Sequence, residues 1–195
     1  IRLPCPRIPR QIRYLPMKTY LHIASVVLLL CASCTNQLPL GSPGKPIVIA
    51  HRGDSKVAPE NSLSAFRSAV NAGATYVELD ARPSANGTLY VLHDKTLDRT
   101  TDAKAMFNRE KVPIAELSDD LINGLDAGRW FDPKFAGERL PTLVEALDVI
   151  QTGSMTLLEH KSGTAEAYAK LLRDKQLVGK LVVQSFDWDF LAQLH

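Results

Sequence analysis

Cysteine is scarce in this 195-residue chain, and its three copies, Cys5, Cys31 and Cys34, all precede residue 35. A disulfide framework, a zinc cluster or a cysteine nucleophile is therefore excluded from the body of the chain. Charge of one sign is lacking too. Lys and Arg number 23 against 21 Asp and Glu, the net charge is +2, and no basic run crosses the body, so nucleic acid is not an expected partner. The apolar run at 23–30 is too short to span a bilayer, which takes about 20 residues. No glycine-rich phosphate fingerprint follows the first strand-like run, which disfavours a doubly wound dinucleotide-binding sheet. The remaining composition, 45% hydrophobic and 23% charged, is that of one ordinary globular domain.

The first 45 residues read as a series of short segments. Residues 1–16 begin without Met and carry four Arg and four Pro, which suggests a non-native upstream extension with Met17 as the initiator. Residues 17–34 have the order of an export signal: Lys18 and His22, the apolar run, then Ala32 and Ser33 just before Cys34. That ending resembles a bacterial lipoprotein cleavage site, although Cys31 stands where Leu or a similar residue is usual. The expectation is an exported protein of the bacterial periplasm or cell envelope, anchored to the membrane through a lipidated Cys34. An ordinary secretion signal with an incidental cysteine is the alternative. Residues 35–45, with Pro39, Gly41, Ser42, Pro43 and Gly44, suit a flexible linker.

From residue 46 onward, strand-like and helix-like segments alternate. Strands are expected at 47–50, 76–80, 89–92, 155–159 and 181–184, the first buried on both faces. Helices are expected at 62–71, capped by Asn61 or Ser62 and ended by Gly73, at 142–150, and at 165–174. Thr142 and Glu145 have capping-box spacing, and Asn86-Gly87 is a hairpin-type turn. Residues 96–140 are less regular and read as an inserted excursion with short helical pieces. The alternation predicts a parallel α/β sheet, and polar residues at the carboxyl ends of its strands suit a (β/α) barrel.

Those strand ends carry the chemistry. Side chains alternate along a strand, so Glu78 and Asp80 share one face, as do Glu159 and Lys161, with His160 opposite. Three converging carboxylates repel one another unless a hard divalent cation such as Mg²⁺ or Ca²⁺ is bound. The plainer alternative is that they are exposed or pair with Arg52 and Lys161. His51 and His93, just past strands one and three, are placed to divide general acid and base between them, unless they are merely structural. Arg52 and Lys161 can bind a phosphate or pair with the acids. Glu60 is either a partner that orients a histidine or metal ligand, or a plain acid at a helix start.

Taken in order, His51-Arg52-Gly53, Pro59-Glu60-Asn61-Ser62, Val77-Glu78-Leu79-Asp80, His93-Asp94, Leu97-Asp98-Arg99-Thr100-Thr101, Leu140-Pro141-Thr142-Leu143, Glu159-His160-Lys161 and Gln184-Ser185-Phe186 strongly resemble the glycerophosphodiester phosphodiesterase family. The resemblance covers residues 46–195. It implies a TIM-type barrel with a small inserted subdomain after strand three, and hydrolysis of small-molecule glycerophosphodiesters to glycerol 3-phosphate and an alcohol. It further implies a divalent metal, Ca²⁺ or Mg²⁺, on Glu78, Asp80 and Glu159, His51 and His93 as the acid–base pair, and Arg52 and Lys161 on the phosphate. A complete barrel of this type takes roughly 250 residues. The expected strands stop at five, so the barrel reads as truncated after the fifth and the 195 residues alone as inactive. A phospholipase D-like or phosphoinositide-specific lipase on a related barrel, and a non-catalytic lipoprotein, are the rival readings.

Overall fold

The strand with acids at alternate positions lies at the centre of the sheet. In a computed structural model of the protein, residue 44 and residues 46–195 are described, so the expected signal, Cys34 and most of the linker lie outside the described residues. The strands are β1 (Ile49–Ala50), β2 (Tyr76–Pro83), β3 (Leu89–Val91), β4 (Met155–His160) and β5 (Val182–Ser185). β2 pairs in parallel with β1 on one side and β4 on the other, and β5 continues the sheet in parallel beyond β4. The register sets Asp80 beside Glu159 and Glu159 beside Gln184.

The helices are α1 (Leu63–Asn71), α2 (Ala103–Met106), α3 (Asp119–Asn123), α4 (Leu143–Ile150), α5 (Ala165–Asp174) and α6 (Trp188–Leu194). The period of two along the strands sorts the residues between two faces. Val77, Leu79, Ala81 and Leu158 join Phe66, Leu143, Leu147, Ile150, Tyr168 and Phe190 in one core between sheet and helices. Glu78, Asp80, Arg82 and Glu159 take the other face. The caps follow the sequence closely. The Ser62 hydroxyl accepts from the Ala65 amide to start α1, and Thr142 and Glu145 close a capping box on α4. Gly73, at φ 79°, ends α1 while the Ala74 amide donates back to Ala69 O, as in a Schellman motif.

Two expectations need correction. The third strand does not run parallel to the others, in keeping with the hairpin-type turn expected before it rather than with the all-parallel sheet. At the Asn86-Gly87 turn, with Gly87 at φ 85°, the chain folds β3 back antiparallel on the end of β2. A connection this short cannot make a crossover, which takes a dozen or more residues. The parallel part of the sheet thus has four described strands. The first strand is also shorter than expected and is not buried on both faces: Ile47, Val48 and Ile49 are 43%, 53% and 50% exposed. The apolar run marks what the strand can bury, whereas the cover over it is a tertiary matter, and no described element supplies it.

Residues 96–140 pack a second small core, in which Leu97, Val112, Ile114, Ile122, Leu125 and Leu140 close over Tyr90 and Leu92. The excursion is therefore held by its own apolar contacts and fixes the path of the chain just after His93. No helix among the described residues is long and apolar enough to cross a membrane.

Candidate active site

Glu78, Asp80 and Glu159 are buried and each offers a carboxylate oxygen, these atoms lying within 4.8 Å of one another. Strand alternation puts the first two on one face of β2, and the β2–β4 register brings the third alongside. Burial, and then the charge of Asp80, push the Glu78 carboxyl up to about 7, because an ionised form would be a poorly solvated anion beside two others. Asp80 Oδ1 lies 3.3 Å from Lys161 Nζ but out of line for a hydrogen bond, and is buried without such a partner. A hydrogen-bond-free, buried carboxylate oxygen inside a set of three acids matches the oxygen-only coordination of a hard divalent cation, so these residues fit one.

The cations around the acids also pair with them. Arg52 stands at φ 58°, a left-handed conformation costly for a residue with a side chain, and its main-chain amide donates to Glu78 Oε2 at 2.7 Å. Its guanidinium meets Glu60 at 3.0 Å and lies 3.5 Å from Asp80 Oδ2. The conformation is held from both sides. The Asn61 amide, itself at φ 58°, donates to Arg52 O at 3.0 Å, and Gly53 lies so close to α1 that a Cβ there would sit 2.8 Å from two Ala65 carbons. Lys161 Nζ donates to Glu159 Oε1 at 2.6 Å. The two readings of Arg52 and Lys161, as phosphate ligands or as partners of the acids, are thus not exclusive: the residues stand at the acids with donors to spare.

His93 leaves the strand end with its orientation set. Its Nδ1 is 2.7 Å from Asp94 Oδ1. The Arg99 guanidinium, with the His93 contact adding to it, holds the Asp94 carboxyl down at about 2. An ionised carboxylate can only accept, so Nδ1 carries the hydrogen and Nε2 is left to take or give a proton. Arg99 also grips both oxygens of Glu60 at 2.8 Å. Burial raises the Glu60 carboxyl, but Arg99 and Arg52 outweigh it and the net shift is downward. A series of ion pairs runs from Asp80 through Arg52, Glu60 and Arg99 to Asp94, and the Asp94 hydrogen bond carries it on to His93. Glu60 is therefore a bridge between two arginines, while the start of α1 is capped by Ser62.

His51 is not drawn into this network by its side chain. Its imidazole is exposed and makes no hydrogen bond or ion pair among the described residues, and its carbonyl accepts from the Ser55 hydroxyl at 3.0 Å. It is nevertheless adjacent to Arg52, whose amide is fixed on Glu78. His160 faces the helix layer as alternation requires, stacked 3.5 Å from the Phe190 ring.

Several residues to which the sequence assigns no role at the acids or the histidines belong to the site. Asn61 Nδ2 donates to Asp80 Oδ2 at 2.9 Å, Gln184 Nε2 to Glu159 Oε2 at 3.2 Å, and Arg99 and Asp94 orient His93. Their signal was place rather than type. Each lies within a motif quoted for the resemblance, but only tertiary contact shows what it touches.

Comparison with known proteins gives the chain a family. The family model described as the glycerophosphoryl diester phosphodiesterase family matches residues 51–195. A glycerophosphodiester phosphodiesterase of Caldanaerobacter subterraneus is 37% identical over an alignment of 150 residues that covers 73% of this chain and 59% of that one. The crystal structure of the Agrobacterium tumefaciens glycerophosphodiester phosphodiesterase superposes with a TM-score of 0.69 at 35% identity, covering 77% of this chain and 62% of the other. An Oleispira antarctica phosphodiesterase, solved in complex with its product sn-glycerol-3-phosphate, gives a TM-score of 0.62 at 31% identity, covering 76% and 60%. The chain thus spans about three fifths of the length of these relatives.

Proposed function

The chain belongs to the glycerophosphoryl diester phosphodiesterase family, and from that premise we propose that its protein hydrolyses glycerophosphodiesters to sn-glycerol 3-phosphate and an alcohol with the aid of a divalent cation. The observation that carries the reading is the buried trio Glu78, Asp80 and Glu159, with ligand atoms within 4.8 Å of one another. These three side chains would hold Mg²⁺ or Ca²⁺. When bound, the cation supplies positive charge against the phosphate oxygens. Arg52 and Lys161, already at the rim of the trio, offer N–H groups to the same oxygens and stabilise the charge that builds there as the ester breaks. His93, with Nδ1–H fixed on Asp94, presents Nε2 for proton transfer. His51, one residue before Arg52 and with its imidazole exposed, is its proposed partner in proton transfer. Export and anchoring through a lipidated Cys34 complete the proposal. Mass spectrometry of the mature N-terminus from cell envelopes should find a lipid on Cys34 and nothing upstream of it.

The experiment for the reaction is hydrolysis of glycerophosphocholine by the full-length protein, with Mg²⁺ or Ca²⁺ and with chelator. Activity should vanish with chelator and return with the cation. Glu78→Gln should lower it by more than the roughly 10- to 100-fold that loss of an outer-sphere partner costs, and should weaken cation binding in calorimetry. Undiminished hydrolysis in chelator would overturn the reading. Cleavage of intact bilayer phospholipid in preference to the deacylated diester would shift it to the lipase alternative, which the family match does not favour.

A further inference from the structure

Arg82 lies on the same face of β2 as Glu78 and Asp80, and the proposed chemistry does not use it. It is only 8% exposed. Burying a guanidinium costs free energy that has to be offset by directed hydrogen bonds. Here Nε and Nη2 both donate to the carbonyl of His93, at 3.0 and 2.9 Å. Nη1 reaches the carbonyl of Lys161 at 3.5 Å and the Ser162 hydroxyl at 3.4 Å. One side chain therefore holds the main chain of two residues that leave different strands, β3 and β4.

The two carbonyls differ in their other supports. The segment after β4 has several. The Lys161 amide donates to Ala81 O at 3.2 Å, and the Tyr168 hydroxyl is shared between Ala81 O and Ser162 O, at 2.9 Å each. His160 Nε2 lies 3.1 Å from Gly163 O, where only a donor fits. For the His93 carbonyl, Arg82 is the hydrogen-bond donor among the described residues. At the other end of the same residue, Asp94 holds the ring. His93 is thus gripped twice, by Asp94 at the imidazole and by Arg82 at the peptide.

We propose that Arg82 is a positioning residue: its planar fork sets the main chain of His93 against that of Lys161 and so fixes where Nε2 stands relative to the phosphate. This rests on the roles given above to His93 and Lys161. Lys at position 82 would keep the charge near the acids but has no fork to bind two carbonyls at once.

The test uses Arg82→Ala and Arg82→Lys in the full-length protein. By hydrogen exchange, peptides covering 92–99 should exchange roughly tenfold faster or more in both variants, as expected for loss of charge-assisted hydrogen bonds, while 143–150 stays as in wild type. In glycerophosphocholine hydrolysis kcat should fall with KM nearly unchanged. The double variant Arg82→Ala/His93→Ala should be no slower than His93→Ala alone, since both act through one group. Millimolar guanidinium should restore part of the Arg82→Ala rate. Wild-type exchange at 92–99 in Arg82→Lys, or losses that multiply in the double variant, would overturn the proposal. If Arg82→Ala fails to fold, Arg82→Lys carries the same comparison with the charge retained. A wild-type protein without hydrolytic activity would remove the phosphodiesterase reading, and the exchange result would still decide whether Arg82 places His93.

Discussion

At the scale of single residues, the site depends on groups whose neighbours choose their protonation. Glu78 is held neutral up to about pH 7 by burial and by Asp80. Asp94 is held ionised by Arg99 down to about pH 2. Two carboxyls in one site thus behave oppositely, and each difference has a use. On the proposed reading Glu78 would give up its proton when a cation binds, and Asp94 keeps the His93 ring in one tautomer. Asp94→Asn should leave the fold intact but allow the ring to turn or change tautomer. Turnover should drop by no more than the roughly 10²- to 10⁴-fold that acid–base catalysis contributes, and a neutral-pH NMR spectrum of the His93 ring should lose its single Nδ1–H form. An unchanged ring spectrum with unchanged rate would show that the Asp94 contact does not orient His93.

At the scale of elements, position comes from caps, turns and close contacts. The capping box on α4 secures the helix whose Leu143, Leu147 and Ile150 are fully buried behind the sheet. Thr142→Ala should cost about 1 kcal/mol, and Leu147→Ala, which opens a cavity, roughly 2–5 kcal/mol, both measured by denaturant unfolding. Gly53 is more tightly constrained. Its φ of 79° and the 2.8 Å approach to Ala65 leave no room for a side chain. Gly53→Ala should push the preceding residue, Arg52, off Glu78, and so weaken cation binding more than it lowers the melting temperature. A variant with native cation affinity would show that the Arg52 amide does not depend on that approach.

At the scale of the whole molecule, the four parallel strands with their helices form part of a TIM-type barrel, with the acids gathered toward the carboxyl ends of β2 and β4. Folding holds a proton on Glu78 that the unfolded chain, with an ordinary carboxyl near 4.5, has released in the window up to about pH 7. This contribution to stability is therefore full below about pH 4.5. It is lost as pH rises through the window and has levelled off above 7, a difference of about 3 kcal/mol. Melting in chelator should show this slope in wild type but not in Glu78→Gln. A divalent cation, which competes with that proton, should raise the melting temperature more at pH 8 than at pH 5. Equal shifts at both pH values would argue against binding at this trio.

Much of this was legible in one dimension. Apolar period and cap chemistry placed α1, α4 and α5, and alternation correctly put Glu78 with Asp80 and turned His160 away. The sequence alone determined which residue types sit at strand ends, because a period of two fixes faces without knowing what lies opposite them. The hairpin at Asn86-Gly87 was legible too. Tertiary structure decided the rest. It left β1 half exposed, made Glu60 a bridge between Arg52 and Arg99, and closed Arg82 onto the carbonyl of His93. Those outcomes depend on which strand becomes a neighbour and in what register. Such pairings are made across many residues by the energy of burial, and local spacing does not encode them.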